Sequence, residues 1–345
     1  VFFDPIHPTA AAHSILANFA AATLDQDANV ARVGAVTSHL APQILDTLRQ
    51  GTNDRLNVLR LTNSRERSTQ PTSVYGNVKY ATGDRDNGAN VAGFEYDMLA
   101  YTIGFDRVYS DGFVLGGSVS YVDGDVDLDA ARGTQDFTST AFAAYFGYRN
   151  DNFWADLSSA ASWENYDLVR NTGFAQRATA LGDTSGNSFY VALDAGVDLM
   201  SDDTVSVGPI AGVRYLNLDI DAYTETTAAM FNTRVAEQSN TGVIGSIGLQ
   251  ASGFFNSGGT AVMPHIRVVY EKELDELRHA VSVTNDVGQV RNLAGGTGND
   301  DYILVGAGLN IQASSSLSFT LDYEGTVDRS DGKDHAVVGR FVYSF

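Results

Sequence analysis

The polar and apolar positions of this chain change period once. From Thr72 to the end, apolar residues alternate with polar ones at a spacing of two, the spacing at which successive side chains of an extended strand face opposite ways. FVLGGSVSY sets Phe113, Leu115, Gly117, Val119 and Tyr121 on one face. SFYVALDAGVDL sets Phe189, Val191, Leu193, Ala195, Val197 and Leu199 against Asp194 and Asp198. LSFTLDYE sets Leu317, Phe319, Leu321 and Tyr323 against Ser318, Thr320, Asp322 and Glu324. Twelve strands are predicted, near 74–84, 94–108, 113–126, 136–149, 153–166, 187–200, 204–218, 241–254, 260–273, 301–311, 317–327 and 335–345. Ahead of Thr72 the period is helical. Val30, Val33, Leu40, Leu45, Leu48, Leu56 and Leu59 recur along 25–70, with Pro42 suited to a first helical turn and Gly51 to a break or cap. The Ala-rich stretch 9–24 reads as another short helix.

The connections are sorted by length. After every even-numbered strand they are tight: 110–112, 150–152, 201–203, 256–259 and 313–316 are Ser, Asp, Asn, Gly and Ala residues, mostly suited to turns. After the odd-numbered strands they are mostly longer, polar and often acidic, as at 167–186, 219–240 and 274–300. Outer-membrane barrels sort their turns in this way. Alternating strands also build soluble sandwiches and lipocalin-like barrels, but soluble strands usually run to about 5–6 residues. The strands here are long enough for a tilted membrane crossing of about 9–11 residues. The expected fold class is an all-β transmembrane barrel: a 12-stranded antiparallel up-and-down outer-membrane β-barrel with an N-terminal α-helical segment threading the lumen.

Composition narrows the function. No run of 18 apolar residues occurs in the 345, so no helical membrane span is expected, whereas a barrel keeps its mean hydropathy near zero. Asp and Glu number 42 against 22 Lys and Arg, a net charge of −20, which argues against nucleic acid as a partner. Cysteine is absent, so disulfides and thiolate metal sites are excluded. Trp154, Trp163 and the many tyrosines suit interfacial girdles. The chain has neither a Met start nor a targeting segment, so it is expected to begin inside a longer precursor.

In an even-stranded barrel both chain ends lie on one side, so a segment that reaches the other side must pass through the lumen. Eight strands leave room only for side chains and 16–18 leave a channel; twelve should hold one helix of about 10–12 Å diameter. Residues within 43–66 are expected to form that plug. Arg49, Asp54, Arg55, Arg60, Arg65, Glu66 and Arg67 can pair with inward Asp156, Asp194, Asp198, Arg214, Arg267, Glu271, Asp322 and Arg340. The alternative for each is a solvated charge with no specific partner.

The chain ends GRFVYSF, with Phe341, Tyr343 and Phe345 on one face. This resembles the C-terminal assembly signal of bacterial outer-membrane proteins. With the strand number, the turn order, the preceding helix and MPHIRVVYEKEL in the ninth strand, residues 72–345 resemble the autotransporter β-domain of type V secretion. That resemblance implies a translocator in outer-membrane lipid that exports and anchors its own passenger. It also implies the barrel-assembly machinery and periplasmic chaperones as partners. Some relatives release the passenger by a cut beside paired asparagines in the helix. GTNDRLNVLRL offers Asn53-Asp54 and no such pair, so an uncleaved, tethered passenger is expected.

At the front, Asp4-Pro5-Ile6-His7-Pro8 resembles the last block of the GDSL (SGNH) esterase/lipase family. The resemblance implies that His7 is the general base and Asp4 its orienter. The family's nucleophilic serine and oxyanion donors lie upstream of this block and are missing here. The chain itself is therefore expected to be inactive, with an ester substrate for the full-length protein only. The expected organisation is a passenger remnant at 1–24, a helical linker and plug at 25–71, and the translocator barrel at 72–345.

No metal or cofactor is expected. GGTGNDDYI, Gly295–Ile303, matches a single calcium nonapeptide, a motif that works in arrays, and reads as a flexible extracellular loop. The acidic 123–129 lacks calcium-loop spacing, and His13, His39, His265, His279 and His335 lack metal-ligand spacing. Two other functions remain in view: a passive pore or receptor barrel, which the helix and the hydrolase block disfavour, and a barrel-borne hydrolase, for which no strand carries a Ser/His/Asx set.

Overall fold

The computed structural model describes residues 9–10, 12–13, 30–61, 71–109, 112–150, 152–172, 179–201, 204–228, 231–257, 260–275, 277, 280–293 and 301–345. Asp4 and His7, most of the Ala-rich stretch, and Arg65, Glu66 and Arg67 lie outside these residues.

Twelve long strands form a closed antiparallel barrel. They are β1 (Thr72–Arg85), β2 (Phe94–Val108), β3 (Phe113–Leu128), β4 (Gly133–Arg149), β5 (Phe153–Asn171), β6 (Thr179–Val197), β7 (Val205–Ile220), β8 (Gln238–Gly253), β9 (Thr260–Asp275), β10 (Asp301–Gln312), β11 (Leu317–Val327) and β12 (Gly332–Ser344). Each pairs with the next, and β12 returns to β1 from Ser73↔Ser344 to Arg85↔Gly332. Closure leaves no strand edge open to lipid, where an unpaired backbone group costs several kcal/mol.

Alternation decides which side chains meet lipid. Tyr101, Ile103, Phe105, Leu115, Val119, Tyr121, Phe142 and Trp163 point outward and are exposed. Cross-strand aromatic contacts tighten this surface: Phe113 lies 4.9 Å from Tyr148, and Phe319 lies 5.6 Å edge-on from Phe341. Toward the long-connection end the outward face turns acidic. Asp97, Asp125, Asp136, Asp167 and Asp183 stand directly opposite one another across β2–β6, all exposed. Five carboxylates in register belong in water, and they mark where the apolar band ends on that wall.

The helix α1 (Val36–Leu61), preceded by helical residues 30–34, runs down the lumen. Its 26 residues span about 39 Å at about 1.5 Å per residue. Thr37 Oγ1 donates to Gln135, near the long-connection end of β4, at 3.1 Å. Arg60 pairs with Asp156, near the short-turn end of β5. The N-terminal end of α1 thus faces the long connections. The sequence reading of Pro42 and Gly51 as helix ends does not hold, because α1 passes through both. Gly in a helix costs about 1 kcal/mol and Pro about 3, and burial against the barrel outweighs both.

Two of the long connections are not plain loops. Tyr223–Thr224, Thr233–Val235, Val281–Asn285 and Val290–Leu293 form a separate four-stranded sheet. Val235, Val281, Val283 and Leu277 share one apolar cluster with Val30, Ala31 and Val33, so the sheet caps the lumen where the helix leaves it. Tyr223 is buried beside Glu225, and both effects push its hydroxyl pKa up. A buried fork holds the cap: Arg170 Nε and Nη2 each donate to Glu225 at 2.7 Å, and Glu225 also accepts from the Thr233 backbone N–H at 2.9 Å. Glu225→Ala leaves a buried, unpaired guanidinium, a loss of about 3–5 kcal/mol. The expected outcome is rapid protease cleavage within 221–237 with the barrel intact, read by limited proteolysis and by heat-modifiable gel migration.

Candidate functional site: the plugged lumen

The lumen has two chemistries, and α1 matches both. Toward the long connections, Val36, Leu40, Ile44, Leu45 and Leu48 pack against Phe94, Met98, Val122, Phe137, Leu216 and Leu218, all buried. This is a dry seal of the kind that close-packed apolar side chains make. Toward the short turns the lumen wall carries charges, and α1 answers with charges of its own.

The first polar layer centres on Arg214 of β7. It pairs with Glu271 of β9 at 2.7 Å and with Asp46 of the helix at 3.4 Å, while Arg49 reaches Glu271 at 3.7 Å. Tyr302 of β10 donates to Glu271 at 2.7 Å and accepts from Arg214 at 3.1 Å. One turn further along, Asp54 meets Arg267 at 3.4 Å and Arg340 at 3.8 Å, and Arg267 also pairs with Glu324. Gln50 accepts from Lys79 of β1.

The deepest contact is Arg55 with Asp106 of β2. Nε donates to Oδ2 at 2.6 Å and Nη2 to Oδ1 at 2.8 Å, and both residues are fully buried. Tyr145 donates to Asp106 at 3.0 Å, and the Arg55 guanidinium lies 5.2 Å over the Tyr75 ring. These rings need glycine opposite them. A Cβ on Gly104 would stand 2.1 Å from the Tyr75 ring, and one on Gly116 would stand 2.3 Å from Tyr145. Near the helix end, Arg60 stacks 3.7 Å over Trp154 while pairing with Asp156.

Among the expected contacts, Arg49, Asp54 and Arg60 meet Glu271, Arg267 with Arg340, and Asp156, respectively. Arg55 meets Asp106 and Arg214 meets Asp46, two partners the sequence reading did not name. Asp106 could have been found by parity, since it shares the inward face of its strand with Gly104 and Thr102. Asp322 pairs with His265 at 2.9 Å and Arg340 at 3.8 Å rather than with the helix. Asp198 pairs with Arg149 at 3.2 Å, and Arg149 in turn donates to the carbonyl of Arg60. Asp194 makes no ion pair with α1 among the described residues. Trp154, expected in a girdle, is buried in the lumen, whereas Trp163 does face outward. Phe341 and Tyr343 lie outward on the strand that closes on β1, and Phe345 exchanges backbone hydrogen bonds with Thr72.

The autotransporter β-domain family model matches residues 74–324, nearly three-quarters of the chain. The chain belongs to that family. An autotransporter β-domain resides in the bacterial outer membrane and exports a linked passenger to the surface. The translocator domain of the autotransporter NalP from Neisseria meningitidis superposes with a TM-score of 0.71 at 13% identity, covering 91% of this chain and 99% of that one. The β-domain of the Bordetella autotransporter BrkA does so at 0.60 and 14% identity, over 80% of this chain and all of that one. In sequence, outer membrane protein A of Rickettsia conorii is 23% identical over 187 residues, 51% of this chain and 9% of that protein. The chain thus spans less than a tenth of that curated relative.

Asp106→Ala strands the Arg55 charge in the barrel and should cost about 3–5 kcal/mol. The expected outcome is a lower temperature for conversion of the folded to the unfolded gel form, with Asp167→Ala on the exposed acidic row moving it little.

Proposed function

We propose that this autotransporter unit exports a GDSL-type esterase or lipase and keeps it tethered at the cell surface. The observation that carries the reading is the direction of α1. Its N-terminal end opens at the long-connection end of the barrel, and the chain ahead of it contains the Asp4-Pro5-Ile6-His7-Pro8 block. In this reading the upstream part of the protein supplies the nucleophilic serine and oxyanion donors. His7 takes the serine proton, and Asp4 orients the imidazole and stabilises its charge. Residues 1–24 are the end of the passenger, 25–71 the linker and plug, and 72–345 the exporter. The passenger remains attached, since the helix around Asn53 lacks an asparagine pair. Outer-membrane lipid is the partner of the apolar belt. The barrel-assembly machinery and periplasmic chaperones are the partners of Phe341, Tyr343 and Phe345 before insertion.

The test uses intact cells expressing the protein with its upstream segment and a short-chain p-nitrophenyl ester. His7→Ala should lower surface hydrolysis by about 10⁶-fold with barrel assembly unchanged. Wild-type hydrolysis by His7→Ala would refute the passenger assignment, and strong hydrolysis by residues 1–345 alone would favour a barrel-borne hydrolase. Planar-bilayer recording separates export from a passive pore. Deleting residues 1–70 should convert a nearly closed barrel into one of large, steady conductance, whereas equal conductance with and without them supports a receptor-like pore. A free passenger cut near Asn53 would contradict tethering.

A further inference from the structure

The helix does not sit centrally in the barrel. It packs closest to β4, β5 and β7, and the apolar seal runs over β2–β7. Along β9–β12 it stands off, and three cavities follow one another down that side, with β1 at their edge. The first, about 30 Å³, lies near the long-connection end between Gln43, Asp46, Ala81, Tyr302 and Ala336. The second, about 20 Å³, shares Gln50, Glu324 and Ala336 with the first and extends to Asp54, Lys79 and Val338. The third, about 50 Å³, lies near the short-turn end, between Arg55, Ser73, Gln312, Ser318 and Val342.

The walls of these cavities are polar and incompletely paired within the protein. His265 Nδ1, Gln312 Oε1 and Glu324 Oε1 are buried, and none has a protein hydrogen-bond partner among the described residues. Each cavity has room for a few waters, enough to satisfy buried polar atoms that line it. Only one side-chain row separates the second cavity from the third. Asn310, Thr320 and Arg340 stand directly opposite one another on β10, β11 and β12, all buried. Asn310 donates to Thr320 at 2.7 Å, and Arg340 reaches across to the Gly51 carbonyl at 3.4 Å. At the far end of the lane, Arg329 pairs with Asp331 and Asp334 at 2.9 Å. Burial works against the Arg329 charge, but these two carboxylates outweigh it and raise its pKa.

We infer that the plugged barrel retains a hydrated ion-conducting lane along β9–β12 and β1, with Arg340 as its constriction. The helix seals one wall of the lumen and leaves the other wet. Small ions pass beside the helix without displacing it, and the Asn310–Thr320–Arg340 row sets how fast.

The chain has no cysteine, so the lane can be probed with single introduced thiols. Ala336→Cys lines the lane and Ala160→Cys lies in the apolar seal; the probe is a small cationic methanethiosulfonate on the reconstituted chain. The expected result is modification of Ala336→Cys with a drop in single-channel current, and no modification of Ala160→Cys. Arg340→Ala should raise the conductance several-fold while Ala160→Cys stays protected. Unchanged conductance in Arg340→Ala overturns the constriction. Equal labelling at both positions, or at neither, overturns the lane. Labelling of Ala160→Cys only in the Arg340→Ala background would mean that the helix had left, and would also overturn the assignment. Heat-modifiable migration verifies that each variant is a folded barrel.

Discussion

Hydrocarbon offers no hydrogen bonds to a peptide group, and this structure follows from that constraint. No helix among the described residues is long and apolar enough to cross, so the crossing segments are strands, each paired on both sides, and the sheet has to close, as β12 does on β1. Closure creates a lumen, and the even strand number brings both ends of the sheet to one side. A linked passenger on the other side then requires a segment through the middle. The helix meets the same backbone constraint internally, through its own hydrogen bonds, interrupted where Pro42 has no N–H to donate.

Holding that helix in place is a second problem, solved differently at its two ends. The half near the cap is sealed by close packing of Leu40, Ile44 and Leu45 against the barrel wall. The half near the short turns is held by charge pairs, chiefly Arg55 with Asp106 and the Arg214 network. Buried pairs of this kind add little net stability over an apolar core, but breaking one is costly. They therefore act on register: a helix displaced by one turn would leave several guanidinium groups buried without carboxylates. The unequal packing around the helix follows as well. Bulky apolar side chains fill the β2–β7 wall, while the facing wall, with its arginines and carboxylates, keeps space for water.

The barrel was legible because its signal is periodic and long. Outward Tyr101, Val119 and Phe189 and inward Asp156 and Arg340 follow from counting by two. The same counting places Glu271 and Arg267 in the lumen before any partner is known. It does not say which helix residue each will meet, and so Asp46 went unnamed. Trp154 was misplaced because a tryptophan near a strand end suits a lipid girdle as well as a cation stack. The cap sheet was missed because its strands run from two to five residues, too short to establish a period.

By itself, the sequence determined the strand number, the faces, the sorting of the connections, and the presence of a helix ahead of the sheet. These are local properties, set by each residue and its neighbours two or four positions away. Tertiary structure decided the rest: that α1 runs through Pro42 and Gly51, that Arg55 finds Asp106 rather than another carboxylate, and that the helix leans on one wall. Those outcomes depend on rotation and depth inside the barrel. They are settled by packing between residues 50 to 290 positions apart, a range that no local pattern encodes.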